Sequence, residues 1–132
     1  MAEAVQTVFS FTKLLVGDLD RTAAFYKTVF GFQEWQRVDA EIEGRAISEI
    51  ILQPLSEGQP TLVLLSFLDS AAPRDGEVIL GFMVKQIEAL FERIPAAGGR
   101  ITEPVRVMAE MGIKVGFVRD VEGHLLEIVE QI

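Results

Sequence analysis

Apolar and polar positions along the chain follow strand-like and then helix-like spacing, in an order that occurs twice. Residues 8–16 are rich in β-branched and aromatic side chains and predict a strand that ends at Gly17. From Leu19 the apolar residues recur at helical spacing as far as Gly31, which predicts an amphipathic helix with Asp18 as its N-cap and Gly31 as its stop. Three further strands are predicted over residues 32–38, 45–53 and 61–68.

The same order of elements begins again after a polar segment. Residues 69–76 carry Pro73 and Gly76 and predict a linker. An offset of 68 positions then aligns Val16 with Val84 and Leu19 with Ile87. The elements predicted in this half are a strand over 78–84, a helix over 86–97, and strands over 101–107, 114–119 and 124–129, the last two joined as a hairpin. The chain therefore predicts two copies of a strand-helix-strand-strand-strand unit.

The length and hydropathy of the chain favour one domain with apolar surface to spare. A chain of 132 residues is long enough for one buried core and too short for two domains of usual size. We therefore expect a single domain over residues 1–132, with module one at 8–68, the linker at 69–76 and module two at 77–130. The mean hydropathy of +0.30 is high for a small monomer, so a subunit interface or a lined cavity should take up apolar surface.

Charge and cysteine content exclude several classes of partner. The formal net charge is −8, and the 12 basic residues form no run or stripe, which argues against nucleic acid and anionic membranes as partners. The chain has no cysteine, which excludes disulfides and thiolate metal sites. Its first residues lack the basic and apolar regions of a secretory signal, and no apolar run approaches the roughly 20 residues that span a bilayer. A cytoplasmic location is the default expectation.

Two segments resemble a known superfamily. The segment FTKLLVGDLDRTAAFYKTVFGF (residues 11–32) is similar to the opening, and GFVRDVEGHLLEIVE (residues 116–130) to the ending, of the glyoxalase, bleomycin-resistance and extradiol-dioxygenase group, also called the vicinal oxygen chelate superfamily. The resemblance implies an α+β fold of two βαβββ modules. Its eight strands would form a mixed, cup-shaped sheet with the helices outside and a small-molecule site inside, in a homodimer.

The resemblance also implies four metal-ligand positions inside the cup. Carried onto this sequence, they are Phe11, Leu64, Ile79 and Glu127. Three of these side chains have no nitrogen or oxygen donor, and one carboxylate is too few for a catalytic metal site. We therefore predict no metal and no other cofactor. The single histidine, His124, lies in a turn and is expected to be exposed.

The cup lining follows from strand alternation, since residues two apart face the same side. The residues predicted to contact a small organic ligand are Phe9, Phe11, Lys13, Leu64, Ile79, Gly81 and Met83, with Trp35 at the rim. The alternative is that these side chains fill a closed core.

Glu127 is the one candidate catalytic residue. Its carboxylate, flanked by Leu126 and Ile128 and facing an apolar cup, would suit a general acid or base. Alternatively, this carboxylate has no catalytic role and is hydrogen-bonded to a residue of a neighbouring strand or to Lys13. Glu49 has no local feature that separates it from a solvated charge.

Three functions remain open at this stage. The first is a binding protein for a small, largely apolar organic molecule, without the usual metal. The alternative is a lyase or isomerase of the same superfamily that acts on a carbonyl compound, with Glu127 as general base or metal ligand; a dioxygenase-related activity belongs to the same possibility. The third is an interaction module without a ligand.

Overall fold

Each half of the chain folds as one strand, one helix and three strands. The computed structural model describes residues 9–53, 61–73, 76 and 78–132. The first half contains β1 (Phe11–Leu15), α1 (Leu19–Phe30), β2 (Gln33–Ile42), β3 (Arg45–Gln53) and β4 (Thr61–Phe67). The second half contains β5 (Leu80–Met83), α2 (Ile87–Ala96), β6 (Arg100–Met108), a 3-10 turn (Ala109–Met111), β7 (Ile113–Arg119) and β8 (Leu125–Gln131).

The eight strands form two four-stranded mixed sheets with the same topology. Sheet one has the order β1-β4-β3-β2, and sheet two has the order β5-β8-β7-β6. In each sheet the first and fourth strands of the module are parallel, and the other neighbours are antiparallel. The predicted α+β fold of two βαβββ modules is confirmed, with the strands divided between two sheets.

Several predicted strand bounds differ from the structure. β1 and β5 are shorter than the predicted 8–16 and 78–84, and residue 8 lies outside the described residues. β2 continues beyond residue 38 because it pairs with β3 up to a tight turn at Glu43 and Gly44, both of which have positive φ. β6 (Arg100–Met108) extends the predicted strand 101–107 by one residue at each end and is followed by the 3-10 turn (Ala109–Met111).

The predicted caps of α1 are present. The Asp18 carboxylate accepts a hydrogen bond from the Arg21 backbone N–H at 3.1 Å. Gly31 adopts the left-handed conformation at φ 77° and donates its N–H to the carbonyl of Lys27. Within the described part of the chain, no helix has the length and apolar content to cross a membrane.

One apolar core joins the two modules. It combines the buried faces of both helices with one face of each sheet. Its largest fully buried side chains include Tyr26, Phe25, Leu52, Leu64, Ile87, Ile94, Leu126 and Ile128. At the contact between modules, the Phe30 and Phe82 rings stack with their centroids 4.1 Å apart. Each sheet therefore uses one face for this shared core, and its other face points away from it.

The turn between β7 and β8 adds a polar connection between the modules. Asp120 is 4% exposed, and its Oδ2 accepts a hydrogen bond from the Tyr26 hydroxyl at 2.7 Å. The imidazole of His124 also contacts Asp120, and its Nε2 lies 3.3 Å from the carbonyl oxygen of Leu15. The Glu122 carboxylate accepts the backbone N–H groups at the start of α1, from Gly17 at 2.8 Å and Asp18 at 2.7 Å.

His124 is therefore not the exposed turn residue that the sequence predicted. Its side chain is only 12% exposed because it is held between the Asp120 carboxylate of its own module and the Leu15 carbonyl of module one. Hydrogen bonding to Asp120 raises the pKa of His124 above its ordinary value, although burial opposes that change. Burial would raise the pKa of Asp120, but hydrogen bonds from His124 and Tyr26 outweigh it and the pKa is lowered. The charged pair thus contributes stability between about pH 4 and pH 6.5.

We predict that His124→Gln destabilises the protein more at about pH 6 than at about pH 9. At the lower pH the imidazolium can donate to both Asp120 and the Leu15 carbonyl, and its loss should lower the free energy of unfolding by about 1–3 kcal/mol. As pH rises through the raised pKa of His124, the neutral ring retains only one N–H, so the difference should shrink. Urea unfolding across this pH range measures it.

The matched control is Lys85→Gln, which removes a cation from an exposed residue. Its effect on stability should be small and nearly independent of pH over the same range. A His124→Gln effect that stays constant from about pH 6 to about pH 9 contradicts the contribution of the charged pair.

Candidate functional site

Side-chain alternation divides sheet one into two faces. Leu14, Ile50 and Leu64 lie next to one another on adjacent strands and belong to the shared core. Their strand neighbours Lys13 and Val63 therefore point to the opposite side. We call this side the open face of sheet one; it carries Phe11, Lys13, Glu49, Ile51, Thr61 and Val63.

Leu64 was predicted to line the cup, and that prediction is wrong. Leu64 is fully buried in the shared core, because a shift of one residue along a strand reverses the face that a side chain occupies. Its place is taken by Val63, which pairs with Lys13 as Glu127 pairs with Gly81 in module two.

A cavity of about 320 Å³ lies on the open face of sheet one. Its lining consists of Phe11, Lys13, Trp35, Glu49, Ile51, Thr61 and Val63. Three of the predicted ligand-binding residues, Phe11, Lys13 and Trp35, are thus brought together. The lining is largely apolar with one charged pair, which is the composition of a small-molecule site.

A β-bulge places Trp35 at this cavity. Glu34 pairs with Leu52 and Gln36 pairs with Ile51, so Trp35 is an extra residue without a partner in β3. A bulge changes the direction of the side chain it carries, and here the indole joins the cavity lining. Trp35 is 61% exposed, so a ligand in the cavity would cover part of its ring.

The charged pair in the cavity is Lys13 with Glu49. The Lys13 Nζ lies 3.0 Å from Oε2 of Glu49 and 5.9 Å from the centre of the Phe11 ring. The side chains of Lys13 and Glu49 are 35% and 10% exposed. Lys13 therefore pairs with Glu49 and not with Glu127, which the sequence had left as one alternative, and Glu49 is a buried carboxylate rather than a solvated charge.

A second cavity, of about 220 Å³, lies where the two modules meet. It is lined by Phe9, Thr12, Phe32, Thr61, Leu62, Leu80, Gly81 and Phe82. Two predicted ligand-binding residues, Phe9 and Gly81, belong to it. The space beside Gly81 is open, since a Cβ added there would meet nothing within 4 Å. Thr61 lines both cavities, which makes them adjacent.

The remaining predicted site residues, Glu127, Met83 and Ile79, line neither cavity. Glu127 and Met83 lie on the side of sheet two that points away from the core, which we call the open face of sheet two. Leu126 and Ile128 are core residues, so Glu127 between them points away from the core. The carboxylate of Glu127 is partly exposed and accepts no hydrogen bond from the described residues. Met83 is exposed, and Ile79 is exposed just before the start of β5.

The donor atoms at the superfamily's ligand positions do not fit a metal ion. With Val63 in place of Leu64, the four positions hold Phe11, Val63, Ile79 and Glu127. Only the carboxylate has a donor atom, whereas catalytic zinc sites use three protein ligands. Across the described residues, no group of three or more histidine, aspartate or glutamate side chains could hold a metal ion.

Sequence reasoning missed Glu49 and Thr61 as cavity residues. It also assigned the wrong set of β4 residues to the open face. A weak signal for Glu49 existed, because it is the one charged residue between Ile47 and Ile51 in an apolar strand. For the fourth strand no signal existed, since the residues on both of its faces are apolar.

Two βαβββ modules with a shared core and open sheet faces define the glyoxalase-like class of fold. The family model described as the Glyoxalase/Bleomycin resistance protein/Dioxygenase superfamily matches residues 8–128. This chain therefore belongs to that superfamily, and the resemblance seen in the two sequence segments is confirmed.

Curated relatives share the family at low identity. Lactoylglutathione lyase GLX1 from Arabidopsis thaliana is 27% identical over 119 residues, which cover 88% of this chain and 41% of that protein. A probable lactoylglutathione lyase from Vibrio parahaemolyticus is 26% identical over 90% of this chain and 87% of that protein. The chain thus spans less than half of the Arabidopsis relative.

Solved structures support the fold. A glyoxalase family protein from Bacillus cereus has a TM-score of 0.84 at 19% identity, with 100% of this chain and 99% of that chain covered. The fosfomycin resistance protein FosX from Listeria monocytogenes has a TM-score of 0.72 at 21% identity, with 97% and 96% covered.

We predict that Lys13→Met lowers the free energy of unfolding by about 1–3 kcal/mol, because it leaves the Glu49 carboxylate buried without its partner. The double variant Lys13→Met/Glu49→Met should recover most of that loss, since replacing both members of a buried ion pair with apolar groups is often neutral. Urea unfolding measures both.

The control is Lys114→Met, which breaks the more exposed ion pair with Glu88 on module two and should have a smaller effect. A double variant that is less stable than Lys13→Met would contradict the assignment of Glu49 as a carboxylate that depends on Lys13.

Proposed function

We propose that this protein binds a small, largely apolar organic molecule on the open face of sheet one, without a metal ion. The observation that carries the proposal is the cavity of about 320 Å³ in which Phe11, Trp35 and Val63 surround one charged pair. The second cavity, with Phe9 and Gly81, lies on the other side of Thr61.

The chemistry of the donor set supports binding without a metal. Phe11, Val63 and Ile79 offer apolar surface where the superfamily's metal-dependent members are expected to have ligands. A phenyl ring at this position can instead stack on an aromatic ligand. The apolar substitutions and the apolar cavity thus favour the same kind of ligand.

The working unit of this proposal is a homodimer in the cytoplasm. Large apolar side chains are exposed on or near the open faces of both sheets, among them Phe9, Phe11, Trp35, Ile79 and Met83. Association of two chains would cover such surface. Light scattering coupled to size-exclusion chromatography measures the mass, and a monomer at all concentrations would contradict the dimer.

A lyase or isomerase acting on a carbonyl compound is the second candidate function. It is supported by the names of the curated relatives, which are lactoylglutathione lyases. In this chain Glu127 would act as the general base, because its carboxylate has no partner among the described residues and lies beside Gly81.

We predict that small aromatic compounds raise the melting temperature and change the fluorescence of Trp35, the only tryptophan in the chain. At a free ligand concentration of about 100 times Kd, binding should raise the free energy of unfolding by about 2.7 kcal/mol. The variant Thr61→Phe should abolish both responses, because its ring would fill part of the cavity on the open face of sheet one. Thr28→Phe, on the exposed side of α1, should leave both unchanged.

Binding by Thr61→Phe equal to that of the original protein would contradict this location. Protein purified without chelators should bind the same compounds after treatment with a chelator. Stoichiometric metal detected by mass spectrometry in that protein would contradict the metal-free proposal.

For the second candidate, we predict that Glu127→Gln lowers turnover of a carbonyl substrate by about 100-fold or more, as expected when a general base is lost. Turnover and substrate binding are measured separately. Glu130→Gln, a change three residues along the same strand, is the control. Turnover that is unaffected by Glu127→Gln would exclude Glu127 as the base.

A further inference from the structure

The ion pair of Lys13 and Glu49 has mostly apolar neighbours, and a contribution to folding stability alone does not explain why two charges are found there. Glu49 pairs across the strands with Leu65 and Val38, and its neighbours on the same face of β3 are Ile47 and Ile51. Removing two charges from water is costly, and buried ion pairs are often replaced by apolar residues without loss of stability. A ligand that uses the pair would account for charges at this place.

The pair leaves hydrogen-bonding capacity unused on both sides. An ammonium group has three N–H donors, and Lys13 directs a hydrogen bond to Oε2 of Glu49. Oε1 of Glu49 accepts no hydrogen bond from the described residues. Among these residues, every side-chain oxygen that is fully buried has a hydrogen-bond partner, so an oxygen without a partner is not fully buried. Oε1 therefore remains accessible. The cavity thus presents N–H donors and a carboxylate acceptor next to each other.

The charges of the pair also limit what can bind. Lys13 and Glu49 together are close to neutral, so a ligand carboxylate would approach Lys13 but lie against the Glu49 carboxylate. A ligand ammonium group would be attracted to Glu49 but would lie against the Lys13 ammonium group. Such like-charge contacts are unfavourable, and they become more so once the bound ligand displaces the water that screens the charges.

We propose that the Lys13–Glu49 pair selects neutral aromatic ligands that carry a carboxamide or lactam group. The carbonyl oxygen of this group would accept from Lys13, its N–H would donate to Glu49, and its ring would pack between Phe11 and Trp35. The inference rests on the proposed binding function and specifies the ligand class for the same cavity.

The size of the cavity agrees with this ligand class. A cavity of about 150 Å³ holds one benzene ring. The cavity on the open face of sheet one is about 320 Å³, so it has space for a ring with a polar substituent or for two fused rings.

The test compares benzamide, benzoate and benzylammonium, which share one ring and differ in charge and hydrogen bonding. Binding is followed by Trp35 fluorescence and by ligand-observed NMR at neutral pH. We expect benzamide to bind the original protein at least about tenfold more tightly than either charged compound.

Two variants change the charge of the pair in opposite directions. In Glu49→Gln the Lys13 ammonium loses its counter-ion, so benzoate should gain about tenfold and become the preferred ligand. In Lys13→Gln the Glu49 carboxylate is left alone, so benzylammonium should gain instead. Lys114→Gln removes a lysine from the separate ion pair with Glu88 and should keep the preference for benzamide.

Equal binding of the three compounds to the original protein, or the same ranking in Glu49→Gln and Lys13→Gln, would overturn the inference. If none of the three binds while other aromatic compounds still shift the fluorescence of Trp35, the inference alone fails. If no aromatic compound binds, the proposed function fails with it.

Discussion

The carboxylate of Asp120 is buried where the two modules meet, and the arrangement of the modules depends on how it is stabilised. An unpaired buried carboxylate is costly, but this one accepts hydrogen bonds from Tyr26 on α1, from two backbone N–H groups of its own turn and from His124. Because Tyr26 belongs to module one and the turn to module two, the Tyr26 hydrogen bond forms only while the modules are packed together. The polar connection and the aromatic contact of Phe30 with Phe82 thus fix one relative placement.

That placement decides which surfaces are free for chemistry. A sheet has two faces, and in both modules the face toward the helices belongs to the shared core. The opposite faces carry the side chains that the core does not need, so charged residues such as Lys13, Glu49 and Glu127 can lie there without disrupting it. The cavity on the open face of sheet one is therefore a consequence of how the modules share their core.

Much of the fold was predictable from the sequence, because it follows from local signals. Asp18 and Gly31 mark the ends of α1 by their capping chemistry, and the repeat of elements gives the two modules. The site was less predictable. β4 is apolar on both faces, so its pattern could not distinguish Leu64 from Val63. Trp35 reaches the cavity through a bulge, and Glu49 meets Lys13 through strand pairing between distant segments.

Equivalent strands of the two modules now carry different side chains on their open faces. Strand pairing makes Lys13 equivalent to Gly81, Glu49 to Val115 and Val63 to Glu127. Glu49 in module one and Glu127 in module two thus both lie on open faces, but on strands that are not equivalent. A gene duplication that gave rise to two such modules would have left two half-sites free to diverge, while substitutions in the shared core affect both modules at once. In this protein the architecture has kept its internal symmetry and the chemistry has lost it.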